Sequence, residues 1–149
     1  MKLKTASFGV QDYQEESVLH LPEGMLGFSR LRRFILIEEQ DIHPFRWLQC
    51  LDDPELAFPV VDPHFLVADY AASIPRRELQ KLQVNSFSDV VTLVVAIIPE
   101  DGRRASVNLK APLLINHRNM TGRQVILTES SYSVRTPVIE ERELCLQTS

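Results

Sequence analysis

Residues 90–98, VVTLVVAII, form the longest and most apolar strand candidate of the chain, and the residues 99–102 that follow them read PEDG. Nine residues rich in β-branched side chains suit a buried strand and are too few to span a membrane as a helix. Asp-Gly is a hairpin turn signal. Ala105, Val107 and Leu109 then alternate with polar residues, which is typical of a half-buried strand. The stretch therefore predicts a central strand followed by its antiparallel partner.

Further apolar segments of strand length lie on both sides of this hairpin, bounded by glycine, proline and acidic turn residues. The strand candidates are residues 3–8, 18–21, 34–37, 45–51, 57–61, 65–68, 113–115 and 124–127, the last pair turning around Thr121-Gly122. One segment, near residues 74–82, predicts a short helix with Ser73 as its cap and Pro75 in its first turn. About ten closely spaced strands favour a mostly β protein, an antiparallel barrel or sandwich.

The length and net charge of the chain limit the classes of protein to which it can belong. A chain of 149 residues suits one domain, and its net charge of −4 does not suit a surface that binds nucleic-acid phosphates. The basic N-terminus has no apolar run after it, so we expect no signal peptide and a cytoplasmic protein with no membrane contact. In that compartment Cys50 and Cys145 are expected to be reduced thiols.

The sequence offers little that resembles a catalytic or cofactor site. Residues 22–28, PEGMLGF, have two glycines but lack the Lys and Ser/Thr of a phosphate-binding loop, and we expect a compact turn with a buried Phe28. The four histidines lie in four separate segments without metal-ligand spacing, and no Gly-x-Ser-x-Gly is present. We therefore predict no enzyme activity, no metal and no cofactor.

Carboxylates are the one enriched group of polar residues. Five fall within eighteen positions: Asp52, Asp53, Glu55, Asp62 and Asp69. Asp before Pro is ordinary turn chemistry and accounts for two of them. The alternative is an acidic binding surface, with acid–base catalysis a more distant one. The arginines at 30–33 and 76–77 are offset by Glu38, Glu39, Asp41 and Glu78, which indicates solvated faces rather than a nucleic-acid groove.

The order of several motifs resembles the FliW family of bacterial flagellar assembly factors. The resemblance covers roughly residues 1–138 and leaves residues 140–149 outside it. The most specific blocks are residues 106–116 (SVNLKAPLLIN) and residues 122–127 (GRQVIL). The other matching blocks are residues 8–9 (FG), 21–28 (LPEGMLGF), 33–36 (RFIL), 44–49 (PFRWLQ), 51–61 (LDDPELAFPVV) and 69–70 (DY).

The resemblance implies a small antiparallel β-barrel-like domain over residues 1–149, without catalytic residues or cofactors. It also implies two protein partners. One is CsrA, a dimeric RNA-binding repressor of flagellin translation, and the other is flagellin itself. Flagellin that accumulates would occupy the protein and release CsrA, which closes a feedback loop. The protein itself would bind no nucleic acid and would be a monomer when free.

We place the partner surface on the segment of Phe65, Leu66, Asp69 and Tyr70, together with the hairpin tip at Glu100 and Asp101. Both combine acidic groups with large apolar side chains, the mixture found at the rim and anchors of interfaces. Burial of Phe65 and Tyr70 in the core is the alternative, and residues 52–55 are the second choice of site. The competing functional classes are a small-ligand-binding or enzymatic barrel and a nucleic-acid-binding barrel.

Overall fold

A computed structural model describes residues 1–6, 8–99 and 104–138. Its strands are β1 Lys2–Thr5, β2 Gly9–Asp12, β3 Leu19–His20, β4 Arg33–Glu38, β5 Arg46–Cys50, β6 Ala57–Val61, β7 Val90–Ile97, β8 Ser106–Val107, β9 Leu113–Asn116, β10 Thr121–Gln124 and β11 Thr136–Pro137. The α-helix α1 covers Arg76–Lys81. The predicted mostly β fold with one short helix is confirmed. The helix in the described part of the chain is too short to cross a membrane.

Seven strands close into a barrel in the order β3-β4-β5-β6-β7-β9-β10. Each neighbouring pair is antiparallel except β10 and β3, which meet in parallel at Thr121 and His20. Closure leaves these strands without an unpaired sheet edge. The smaller hairpin of β1 and β2 lies beside the barrel, where the Ala6 N–H donates to the Pro54 carbonyl.

Strand β7 is central, as its apolar run predicts, because both of its faces are buried. Leu93 packs into the barrel interior, while Val94 and Ala96 face a second core outside the barrel wall. The predicted hairpin partner is β8, with Ala96 opposite Val107 and Ile97 opposite Ser106. A strand buried on both faces has no polar side to alternate with, which explains why its sequence is almost continuously apolar.

The barrel interior is filled with apolar side chains from six of the seven wall strands, all but β10. The fully buried members include Leu19, Phe34, Leu48, Val60, Leu93 and Leu113. The second core lies between the barrel and residues 62–84, where Tyr70, Leu82 and Val84 pack against Val94 and Leu114. A filled, apolar interior counts against a ligand carried inside the barrel, which removes the basis for that competing class.

Three local predictions need correction. Residues 65–68 are not a strand, because Pro63–Phe65 form a 3-10 turn in which the Asp62 side chain accepts the His64 N–H. Helix α1 has Pro75 rather than Ser73 at its N-cap. The strand predicted at residues 124–127 is instead β10 at Thr121–Gln124, so the predicted turn residues Thr121 and Gly122 lie inside the strand. A Cβ at Gly122 would be 3.0 Å from the Leu114 carbonyl oxygen, which favours glycine at this position.

Candidate functional site

The predicted partner surface lies partly on the segment between β6 and α1. Phe65 ends the 3-10 turn and is 42% exposed. Asp69 is also exposed. Leu66 is half-buried and packs against the second core. Of the four residues predicted here, Phe65 and Asp69 are therefore accessible to a partner, whereas Leu66 packs mainly against the second core.

Tyr70 lies inside the protein, which corrects its predicted place on this surface. Its side chain is fully buried, and its hydroxyl donates a 2.6 Å hydrogen bond to the Leu109 carbonyl. Its ring lies 5.2 Å from that of Tyr132. Burial raises the pKa of Tyr70 well above its ordinary value. The residue therefore fastens the segment to the barrel.

The hairpin tip was the other half of the predicted surface. Glu100 and Asp101 lie outside the described residues, so their role stays a prediction. The strands that lead to the tip are described, and they end at Ile97 and begin again at Ser106. Cys145 and residues 140–149 likewise lie outside the described part of the chain.

An acidic cleft opens beside Phe65. Its carboxylates are those of Glu38, Glu39 and Asp62, and its volume is about 460 Å³. Glu38 ends β4, and Asp62 directly follows β6, so the strand pairing of β4, β5 and β6 brings the carboxylates to one end of the barrel. The nearest cation in the lining is Arg46, directly across the β4–β5 ladder from Glu38.

Specific contacts hold two of the three carboxylates of the acidic cleft in place. The Trp47 indole N–H donates to Glu39 Oε2 at 2.9 Å. Asp62 Oδ1 accepts the His64 backbone N–H at 2.9 Å and lies 2.8 Å from His64 Nδ1. Negative groups fixed around an exposed aromatic ring suit a basic partner, because the ring supplies an apolar anchor and the carboxylates supply charge complementarity.

Sequence reasoning found Phe65 but not the glutamates of this cleft. Glu38 and Glu39 stand close to the arginines at 30–33 along the chain, which suggested mutual neutralisation. Strand β4 separates the two groups, since Arg33 begins it and Glu38 ends it. The available signal was the position of Glu38 and Glu39 directly after a strand, but their distance from Asp62 depends on pairings that the sequence does not reveal.

The second-choice site at residues 52–55 is a structural turn. Asp52 Oδ2 accepts the backbone N–H groups of Arg32 at 2.7 Å and Arg33 at 3.0 Å. Asp53 Oδ1 accepts the Glu55 N–H at 3.1 Å. Both carboxylates therefore bind this chain's own backbone: Asp53 forms the local turn that Asp-Pro sequences favour, and Asp52 joins that turn to the start of β4.

The glycine-rich segment 22–28 forms a compact turn, but it does not bury Phe28. Gly24 has φ +72°, and a Cβ at this position would lie 2.6 Å from the Ser29 carbonyl oxygen, so only glycine fits. Gly27 has φ +83°. The turn carries Leu26, 47% exposed, and Phe28, 43% exposed. The expected burial of Phe28 is thus wrong, and the loop displays two large apolar side chains.

These side chains form one wall of an apolar groove of about 290 Å³. Ile97 at the end of β7 and Val134 before β11 line it as well, and they are 50% and 58% exposed. The Phe28 ring lies 5.8 Å from that of Phe58, which supports it from below. Exposed apolar side chains are ordinary when scattered, but a contiguous group marks an interaction surface.

Two residues of β10 hold the loop against the barrel. Gln124 Oε1 accepts the Leu26 N–H at 2.8 Å, and its Nε2 donates to the Ala111 carbonyl at 3.1 Å. Arg123 donates from Nε to Glu23 at 2.9 Å and from Nη1 to Glu78 at 3.4 Å. The groove is therefore a preformed feature of the fold.

The described residues do not assemble a catalytic centre. No three His, Cys, Asp or Glu side chains among them lie together in a way that could hold a metal. Cys50 is a free thiol buried in the barrel, and desolvation raises its pKa. A buried thiol with a raised pKa is a poor nucleophile, because the thiolate is the reactive form.

A family model and individual relatives both indicate the family of this chain. The family model described as FliW protein matches residues 2–138. The chain belongs to the FliW family. It is 39% identical over 143 residues to the flagellar assembly factor FliW of Caldanaerobacter subterraneus subsp. tengcongensis, covering 95% of each chain. It is also 39% identical over 141 residues to that of Geobacter sulfurreducens, covering 95% of this chain and 88% of the relative.

A crystal structure of the flagellar assembly factor FliW has the same fold. It superimposes with a TM-score of 0.84 at 27% identity, over 95% of this chain and 99% of the other. The predicted family resemblance is thus confirmed. FliW proteins are flagellar assembly factors, a regulatory family rather than an enzyme family. The features to explain in this FliW chain are therefore surfaces that bind other proteins.

Proposed function

We propose that this protein regulates flagellum assembly in the cytoplasm by binding CsrA and flagellin in turn. CsrA that is bound to this protein does not repress its target messenger RNAs, so that flagellin is translated. Flagellin that accumulates takes the place of CsrA and acts as the feedback signal, and the protein shields it in the manner of a chaperone. The observation that carries this proposal is the acidic cleft around Phe65 in a chain of the FliW family.

The chemistry of the acidic cleft fits CsrA. A protein that binds RNA must present Lys and Arg to phosphate oxygens and is therefore basic at its working surface. Glu38, Glu39 and Asp62 offer that surface three carboxylates, and exposed Phe65 offers an apolar anchor. Opposite charges raise the association rate, and salt screens this effect.

The switch follows from mass action. The free protein concentration falls as flagellin accumulates, because each bound flagellin removes one molecule from the pool that can hold CsrA. No conformational change is required for this step, and the response is set by the difference between the two binding free energies.

A charge reversal tests the assignment of CsrA to the acidic cleft. Glu38→Lys places a second cation opposite Arg46, and Glu129→Lys makes the same charge change at an exposed position outside the cleft lining. Calorimetric titration with CsrA should show affinity reduced about tenfold or more for Glu38→Lys and changed by less than about twofold for Glu129→Lys. Equal affinities for the two variants would contradict the assignment.

A further inference from the structure

We infer that the apolar groove is a second docking surface, separate from the acidic cleft, and that it binds an apolar segment of flagellin with a flagellin carboxylate against Arg135. This inference rests on the proposed function, since flagellin is one of its two partners. It adds which surface each partner uses.

The groove gathers apolar side chains that the fold does not need to expose. Leu26, Phe28, Ile97 and Val134 come from three separate parts of the chain and are each 43–58% exposed. Buried Met25 and Val107 form the floor beneath them. Removing apolar groups from water lowers the free energy. Four such groups around one depression therefore favour an apolar occupant.

The groove is also rigid, which favours binding. Gly24 and Gly27 fix the loop in a left-handed backbone conformation, and the hydrogen bond from the Leu26 N–H to Gln124 fastens its tip. Arg123 holds the start of the loop to α1 through Glu23 and Glu78. A preformed groove loses little conformational entropy when it binds a partner.

Charge distinguishes the groove from the acidic cleft. The described lining of the groove has one ionised side chain, Arg135, and no carboxylate. Arg135 is exposed, and its guanidinium makes no ion pair with any described residue. A basic partner would be repelled here and attracted to the cleft. Of the two proposed partners, the groove therefore suits the one that is not defined by a basic RNA-binding surface.

The size of the groove disfavours a whole small-molecule ligand. Its volume of about 290 Å³ lies at the lower limit for small-molecule pockets, which span roughly 300–1,000 Å³. Side chains of a protein segment fit better than a whole ligand. A second copy of this chain would bring a second Arg135 to the same contact, which like charges disfavour.

Separate surfaces remain compatible with a switch. They lie at opposite ends of β6, with Phe58 in the groove and Asp62 in the cleft. These residues are four positions apart, which is about 13 Å along a strand. A standard interface covers roughly 800 Å² on each partner. Two bound proteins would therefore overlap although their contact residues differ.

The test uses variants of the groove with matched controls. Val134→Asp and Arg135→Glu change the groove, while Ile126→Asp and Arg76→Glu make the same changes at exposed positions outside its lining. Affinity for flagellin and for CsrA is measured for each variant, with thermal unfolding as a check on folding and sedimentation as a check on self-association. The groove variants should bind flagellin about tenfold more weakly or worse. All four should keep their CsrA affinity within about twofold.

The possible failures can be told apart. Unchanged flagellin affinity in the groove variants, or an equal loss of both partners, would overturn the groove assignment while the proposed function stands. A wild-type dimer that Val134→Asp dissociates would identify a second copy as the occupant and overturn it as well. Wild-type protein that binds neither CsrA nor flagellin would overturn the proposed function, and the groove assignment with it.

Discussion

Leu26 and Gln124 stand 98 positions apart in the chain, yet the Leu26 backbone N–H donates a 2.8 Å hydrogen bond to the Gln124 side chain. The contact joins an exposed loop to a barrel strand. Through its Nε2, Gln124 also donates to the Ala111 carbonyl, so that one amide group links three segments. This link keeps Leu26 and Phe28 in the apolar groove.

Replacing Gln124 with leucine should therefore loosen the loop. We expect Gln124→Leu to lower the free energy of unfolding by about 2 kcal/mol, since it removes two hydrogen bonds that contribute roughly 1 kcal/mol each, and to weaken flagellin binding. Gln80→Leu, at an exposed position of α1, is the matched control and should change neither. Urea unfolding and calorimetric titration give the two quantities. Unchanged flagellin affinity in Gln124→Leu would show that the hydrogen bonds that hold the loop do not contribute to flagellin binding.

Alanine substitutions at two glycines of the same loop should lower the free energy of unfolding by different amounts. Gly24→Ala combines a left-handed backbone with a Cβ 2.6 Å from a carbonyl oxygen, whereas Gly27→Ala has the strained backbone but nothing within 4 Å. We expect about 1 kcal/mol of destabilisation for Gly27→Ala. For Gly24→Ala we expect about 3 kcal/mol or more, because the clash adds to the backbone strain. Similar costs in urea unfolding would contradict the packing described around Gly24.

Tyr70 predicts a loss of stability in alkaline solution. Burial raises its pKa in the folded protein above the ordinary value of 10.0, so the unfolded chain loses the proton first as pH rises. Above that pH the unfolded state binds fewer protons than the folded state, and stability falls. Tyr70→Phe removes this titration, although it also removes the hydrogen bond to Leu109. We expect a variant that is less stable at neutral pH and whose stability declines less steeply above pH 10. Parallel profiles would show that Tyr70 is not the responsible group.

Thr92 carries a buried hydroxyl without a partner, and it should be dispensable. Its Oγ1 has no hydrogen bond in the described structure. Thr92→Val keeps the shape and removes the unsatisfied group, so we expect stability to rise by about 1 kcal/mol. Thr5→Val is the contrasting case, since Thr5 Oγ1 donates to the Gly9 carbonyl and accepts the Phe8 N–H, both at 2.8 Å. Thermal unfolding should show that Thr92→Val is more stable than the wild type and that Thr5→Val is less stable. A destabilised Thr92→Val would contradict the prediction.

Much of the fold could be predicted because local patterns determine it. The run at residues 90–98 identified β7, and its two buried faces explain why periodicity was absent there. Residues 65–68 were misjudged because a short apolar run can belong to a strand or to a 3-10 turn, and here the Asp62-Pro63 start determined the turn. Barrel closure through the parallel contact of Thr121 and His20 has no local signature.

The candidate site was harder to predict because pairing creates it. Phe65 was identified from its aromatic and acidic surroundings, but Glu38 joins it only through the register of β4, β5 and β6. Phe28 was expected in the core because phenylalanine is usually buried. Its exposure depends on Gly24 and Gly27, whose positive φ angles turn the loop outward. The conformation of such a turn cannot be read from the residue types alone.

A competition measurement on the purified wild-type protein tests the exchange of CsrA for flagellin directly. Fluorescently labelled CsrA is bound to the protein, unlabelled flagellin is titrated in, and anisotropy reports the CsrA that remains bound. We predict that each partner binds alone and that flagellin releases CsrA in a saturable manner. Binding of neither partner, or a stable complex of all three proteins, would contradict this prediction.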